Sequence, residues 1–312
     1  MTATDNATPM PPAAQRWALY FKQRFKLGTN LTATLLLVLT AGFAALHDAA
    51  VPLTQTAAVS LAMMSVVYFL VFWHLRVFDE HKDWAVDSVR FPERVLSKGW
   101  VTLAQLRKIA YVTIPLELLI AAMVGPRFLV ATLGVLAYSL LMLKEFFVVD
   151  WLKRHMVVYG MSHMAILYLM VLGIFYGLGD RVLPGVDLFR QPLMLYAASI
   201  YCWVYSLEIA RKIRVPEAEK PDVDTYSKLL GPMGAIYATT AAQACGLIFL
   251  RMSRLYDSPT GWLVINGAFI LGAVLMVMAG SRPTARKLEK LDGVAALPFI
   301  TFHVALIVGW YR

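Results

Sequence analysis

Long apolar runs alternate with short polar or basic connections along almost the whole chain. Runs of roughly 17–25 apolar residues predict membrane-spanning helices. Nine are counted, centred near Val38, Met64, Leu116, Leu136, Leu169, Tyr196, Ala242, Leu271 and Val304. The pattern therefore predicts an all-α membrane protein, with a nine-helix domain over residues 29–312. Residues 1–15, rich in Thr, Ala, Asn and Pro, predict a disordered tail. Residues 16–28 mix aromatic anchors with four cations and predict a short amphipathic helix lying in the membrane interface. The first apolar run starts after about thirty residues and lacks a small-residue cleavage pattern, so it reads as a span and not as a signal peptide.

Composition agrees. Of 312 residues, 59% are hydrophobic and 16% charged, against about 45–50% and about 25% in an ordinary soluble domain. That excess has no place in a single globular core, which excludes a soluble enzyme. The net charge of +9 reflects basic loops and not a nucleic-acid partner. Of the 29 Lys and Arg, 23 fall in the N-terminal segment and after spans 2, 4, 6 and 8, and 6 fall on the other side. The asymmetry predicts a cytoplasmic N-terminus and an external C-terminus. The absence of a leader pattern points to a bacterial inner membrane. Cys202 and Cys245 lie in apolar runs and read as small hydrophobes, neither disulfide nor zinc ligands.

Chemistry concentrates where span 2 ends. Asp79, Asp83 and Asp87 recur every four residues. Each step drifts only about 40° around a helix, so the three carboxylates share one face, with Glu80 beside it. Like charges at this spacing repel, more so at a membrane mouth, and such a row asks for a cation. Mg2+ prefers one or two carboxylates together with substrate phosphates. The alternative is a solvated helix end neutralised by Arg76, Lys82 and Arg90. Beyond it, Pro92 and Gly99 bound a loop, and Thr102 is placed to cap span 3. Arg94 and Lys98 in this loop either reach a diphosphate held at the carboxylates or serve only as positive-inside residues.

This arrangement resembles the UbiA superfamily of intramembrane prenyltransferases: nine spans, an acidic motif at the cytoplasmic end of span 2, and a Pro-x-Arg…Gly loop after it. The first motif of that family runs Asn-Asp, two residues, Asp, three residues, Asp. Asp79-Glu80-x-x-Asp83-x-x-x-Asp87 resembles it, with Asp79 in the Asn place and Glu80 in that of the first Asp. The resemblance implies that these four acids hold Mg2+ against a prenyl diphosphate, with Arg76 beside them. Arg94 matches the Arg of the family's Arg-Pro loop, although Val95 replaces the Pro.

Family members carry a second Asp-rich motif after span 6, then a Ser- or Thr-containing run into span 7. Glu208 stands at the first acid and is the implied second-motif metal ligand, but Lys212 and Pro216 occupy the next places. Arg211, Lys212 and Arg214 change the expectation, because cations bind phosphate oxygens directly. With Lys98 and with Tyr226 of the following run, they complete the expected substrate-binding set. A mixed site results, with metal mainly at the first motif and anions clamped by the second. The alternative is an ordinary basic loop. Glu217, Glu219, Asp222 and Asp224 offer further carboxylates. The two polar segments lie four spans apart, the spacing of a duplicated four-helix unit with a ninth helix added.

Lys144 lies where the family places a Lys-Arg pair, with Glu145 in the Arg place. It either touches diphosphate or pairs with Glu145. Glu117, well inside span 3, either lines a cavity or hydrogen-bonds to a neighbouring helix, while His163 and His303 read as satisfied core histidines. The resemblance implies Mg2+-dependent transfer of an isoprenyl group from a prenyl diphosphate to a lipophilic, usually aromatic, acceptor. Asp79, Asp83, Asp87, Arg94 and Lys144 are the implied catalytic residues, and the site faces the cytoplasm. Two other readings stand beside it: phosphoribosyl transfer from a diphosphate donor to a polyprenyl phosphate, and a transporter or lipid-binding protein. Against transport, the acids gather at one membrane face, whereas transporters bind near the midplane. The expected partners are the two substrates and the lipid bilayer. No pattern bears on oligomeric state.

Overall fold

The computed structural model describes residues 10–220 and 223–310, and among these there is no strand. A short helix, α1 (Ala13–Arg24), precedes α2 (Leu27–Asp48), α3 (Gln55–Arg90), α4 (Leu103–Val124) and α5 (Pro126–Leu143). A 3-10 turn at Glu145–Phe147 leads to α6 (Val149–Arg154), α7 (Met156–Arg181) and α8 (Gln191–Ala210). Then come α9 (Tyr226–Ser253), α10 (Pro259–Ser281), α11 (Ala285–Leu288) and α12 (Leu291–Trp310). Each of the nine expected centres falls inside one of these helices. Among the described residues, eight candidate spans are long and apolar enough to cross a membrane, and the chain is an integral membrane protein. The ninth expected span is α4, equally a 22-residue helix, which carries Arg107, Lys108, Pro115 and Glu117 and falls outside those eight.

Neighbouring long helices run alternately up and down. The N-terminal segment and the connections after α3, α5, α8 and α10 gather at one end of the bundle. There Lys82 reaches Tyr159, Lys220 reaches the carbonyl of Arg90, and Leu288 and Leu291 pack with Ile209 and Ile213. At the other end Arg190 bonds Asp48, Arg127 pairs with Asp180, and the Trp310 indole donates to Leu255 O. The basic loops thus share one end, as the charge asymmetry requires.

Two local features position the site. First, α3 has 36 residues and is about 54 Å long at 1.5 Å per residue, well beyond the ~30 Å of bilayer hydrocarbon. Its last three turns, with Asp79, Asp83 and Asp87, therefore extend past the apolar bundle as continuous helix. Second, the helix expected over residues 16–28 is α1, which begins earlier, at Ala13, and breaks from α2 at Phe25–Lys26. It is docked on protein: Tyr20 is fully buried, and the rings of Tyr20 and Phe25 meet Trp73 edge-on at 6.0 and 5.2 Å. Such pairs are worth about 0.5–1.5 kcal/mol each beyond their burial. Residues 1–9, most of the expected tail, and Asp222 and Arg312 lie outside the described residues.

Thr102 caps α4 as expected, and Gln105 returns the bond in a full capping box. Thr102→Ala is expected to cost about 1 kcal/mol, read as a lower unfolding midpoint in detergent with substrate binding unchanged.

Candidate functional site

At the basic end of the bundle, α1, α2, α3, α7 and α8 enclose a cavity of about 600 Å3. Its mouth is charged. Arg24, Arg76, Lys82, Arg94, Arg211 and Lys212 line it together with Asp79, Asp83, Asp87 and Glu208. Its remaining walls are apolar: Leu37, Phe72, Leu75, Met142, Met164, Leu167, Val204, Leu207 and Phe299. Six cations against four acids leave the mouth net positive, suited to an anion whose other end is apolar.

The acids of α3 divide into two kinds. Glu80 is 3% exposed and receives both arms of Arg24, at 2.6 and 3.0 Å. The second Arg24 nitrogen also reaches Asp87 at 3.0 Å, and Arg94 pairs with the same Asp87 oxygen. Burial would weaken the Arg24 proton, but its bonds to Glu80 and the charge of Asp87 more than compensate and raise its pKa. Arg94 is shifted the other way, by burial and by the nearby Arg24 charge. Asp79 is held loosely, with Arg76 and Lys82 at 3.7 and 3.8 Å. Among the described residues, no hydrogen bond or ion pair engages Asp83.

On the second segment, Glu208 is 5% exposed and clamped by its own helix end, where Arg211 bonds one oxygen and Lys212 the other at 3.0 Å. Burial opposes the charge on Arg211, but Glu208 prevails and raises its pKa. Arg211 and Lys212 face the cavity.

Mg2+ was expected on Asp79, Glu80, Asp83, Asp87 and Glu208. The donor chemistry fits an ion held by one or two carboxylates and completed by phosphate oxygens: Asp79 and Asp83 line the cavity, Asp79 with only its two long ion pairs and Asp83 with no hydrogen bond or ion pair among the described residues. Glu80, Asp87 and Glu208 are already neutralised by arginine or lysine, and Glu80 does not line the cavity. No group of three His, Cys, Asp or Glu side chains converges as a metal-ligand set among the described residues.

Four expected substrate contacts lie off the cavity. Lys98 sits over the Trp100 ring at 4.8 Å. Arg214 turns back to the carbonyl of Ile213. Lys144 caps α5 and does not line the cavity. Tyr226 is buried against Tyr205, its hydroxyl crowding Gly160 so closely that a Cβ there would meet it at 2.2 Å.

Glu145 and His163, outside the acidic and basic segments, meet beside the cavity. Glu145 does not pair with Lys144. Instead its carboxylate meets Lys82 at 3.3 Å, the Tyr159 hydroxyl at 3.1 Å and His163 Nε2 at 3.4 Å. His163, expected as a core residue, lines the cavity. The turn that presents Glu145 holds three successive left-handed residues, Glu145, Phe146 and Phe147, with φ of 47°, 52° and 60°. Such conformations cost of order 1–3 kcal/mol each and persist where the surroundings over-determine them. Glu117 takes the hydrogen-bonded option: it meets His74 Nδ1 at 2.8 Å, fully buried, while His74 Nε2 faces Ser139 at 3.2 Å. The sequence signal available for Glu145 was its cost, since an ionisable side chain at a span end is expensive. Arg24 gave none, lying 56 residues before its partner.

The fold is UbiA-like. Two solved structures are similar to it. One, described as a digeranylgeranylglyceryl phosphate synthase in membranes, is 15% identical, with a TM-score of 0.63 over 95% of this chain and 99% of its own. The other, a UbiA homolog from Aeropyrum pernix K1 in its apo form, is 19% identical, with a TM-score of 0.63 over 89% and 98%. No protein-family model and no curated protein sequence matches the chain.

Proposed function

We propose that the chain transfers an isoprenyl group from a prenyl diphosphate to a lipophilic acceptor, most simply an aromatic one, with release of diphosphate. The observation that carries this reading is a single cavity with a cationic mouth and apolar walls, the same division as in a prenyl diphosphate. Arg94, Arg211 and Lys212, with Arg76, Lys82 and Arg24, bind and orient the diphosphate. They stabilise the charge that develops on it as the C1–O bond breaks, where preorganised electrostatics contribute most. Mg2+, held by Asp79 and Asp83, would add Lewis-acid neutralisation of the leaving oxygens. The apolar walls shield the allylic cation from water. The synthase neighbour's description supports a prenyl chain as the group transferred.

Nine spans, with the N-terminus and the mouth cytoplasmic and the C-terminus outside, complete the reading, in a bacterial inner membrane. Helix α4 crosses as the ninth because Glu117 is paired with His74 and does not enter as an isolated charge.

The surplus of cations over acids at the mouth favours one further reading, phosphoribosyl transfer between two phosphorylated substrates. The test incubates purified protein with farnesyl, geranylgeranyl or phosphoribosyl diphosphate and a lipid extract of the host membranes, in Mg2+ or in EDTA. A prenylated lipid formed with diphosphate release and abolished by EDTA is expected. A pentose phosphate on a polyprenyl phosphate would establish the second reading instead. Silence with every donor, together with cation flux in vesicles, would make the protein a transporter.

A further inference from the structure

Prenyl transfer to a C–H or O–H nucleophile leaves one proton to be removed, which calls for a base beside the reacting carbon. The carbon attacked is C1, next to the diphosphate, so the reaction occurs where the cationic mouth gives way to apolar walls. On α7 that junction is between Tyr159, beside Lys82 and Lys212, and Met164 and Leu167. His163 lies there, one helical turn from Tyr159, about 6 Å along the axis, and faces the cavity.

The hydrogen bonds of His163 define its chemistry. Nδ1 is 2.9 Å from the carbonyl of Tyr159. A carbonyl only accepts, so Nδ1 carries the hydrogen and the neutral ring has its lone pair on Nε2. That nitrogen faces Glu145 Oε2 at 3.4 Å, and both atoms are buried without a hydrogen-bond partner. Two acceptors so placed gain a charge-assisted bond when a proton is added between them. The ring is fixed by stacking on Tyr159 at 4.1 Å and by the edge of Phe146 at 5.7 Å. Phe146 belongs to the left-handed turn that aims Glu145.

We infer that His163, seated against Glu145, is the base that accepts the proton lost by the acceptor. The inference rests on the prenyl-transfer reading. The C1–O bond breaks and its electron pair leaves with the diphosphate. An electron pair of the acceptor forms the new bond to C1. The acceptor's C–H or O–H bond then breaks, its electrons stay on the acceptor, and the proton passes to Nε2. The added proton is then held between Nε2 and Glu145 Oε2, while the other Glu145 oxygen accepts from the Tyr159 hydroxyl at 3.1 Å.

The experiment measures diphosphate release and prenylated lipid together, for wild type, His163→Gln and Glu145→Gln, with geranylgeranyl diphosphate and host lipid extract. Wild type is expected to release one diphosphate per lipid product. In His163→Gln, release persists while lipid product falls about a hundredfold and prenyl alcohol takes its place, because water then captures the cation. Glu145→Gln is nearly isosteric, and its amide N–H donates to Nε2 and occupies the lone pair. The same uncoupling is expected of it, and it decides the matter if His163→Gln fails to fold. Release and transfer falling in parallel in the folded variants, or both unchanged, overturns the inference. A wild type that releases no diphosphate from any prenyl donor sinks the prenyl-transfer reading itself.

Discussion

Arg24→Ala is expected to lower the stability of the protein in detergent by about 3–5 kcal/mol, the range for removing one partner of a buried ion pair. Glu80 is nearly inaccessible, and Arg24 supplies both of its close contacts. Truncation would leave that carboxylate buried and unpaired, and Asp87 with only Arg94. The large term is the orphaned charge and not the intrinsic worth of the pair, so the double variant Arg24→Met/Glu80→Met should recover most of the loss, since buried pairs are often replaceable by apolar residues of similar volume. Chemical unfolding of the wild type, single and double variants measures this. An Arg24→Ala protein as stable as wild type would mean that the α1–α3 pair is not the structural tie the geometry describes. Diphosphate binding should weaken in both variants, because Arg24 also lines the cavity.

Asp83→Asn is expected to do the reverse: turnover falls by two orders of magnitude or more while stability is retained. A metal's neutralisation of a leaving oxygen is worth several kcal/mol, and each 1.36 kcal/mol is about tenfold in rate. Asp83 has no hydrogen bond or ion pair to lose among the described residues, and its removal relieves repulsion along the acidic face of α3. Mn2+ bound in the presence of inorganic diphosphate, followed by electron paramagnetic resonance, should fall with the activity. Retained Mn2+ binding would move the metal away from Asp79 and Asp83. Asp87→Asn should differ, lowering stability through its two arginine contacts.

The apolar periodicity determined the helices, because a bilayer admits only helices or closed barrels and each span must satisfy its own backbone. It also located the acids on one face of the helix end, since that depends only on 100° per residue, and the Thr102 cap, which is a contact between neighbours in sequence. The positively charged mouth was foreseen at Arg94, Arg211 and Lys212 because these residues adjoin the acidic motif or its counterpart.

Tertiary structure alone decided which acids are free. Arg24 and Glu80 are 56 residues apart, and no spacing rule links a docked N-terminal helix to the end of α3. Its arrival turns two expected metal ligands into ion-pair partners. The same holds for Glu145, where a left-handed turn directs the carboxylate away from Lys144 and toward Lys82 and His163. Those two residues come from α3 and α7, and only packing brings them together. Residue type and helical period specify local chemistry; whether a carboxylate meets water, a metal or an arginine depends on long-range contacts, whose energies are set by burial and dielectric and not by neighbours along the chain.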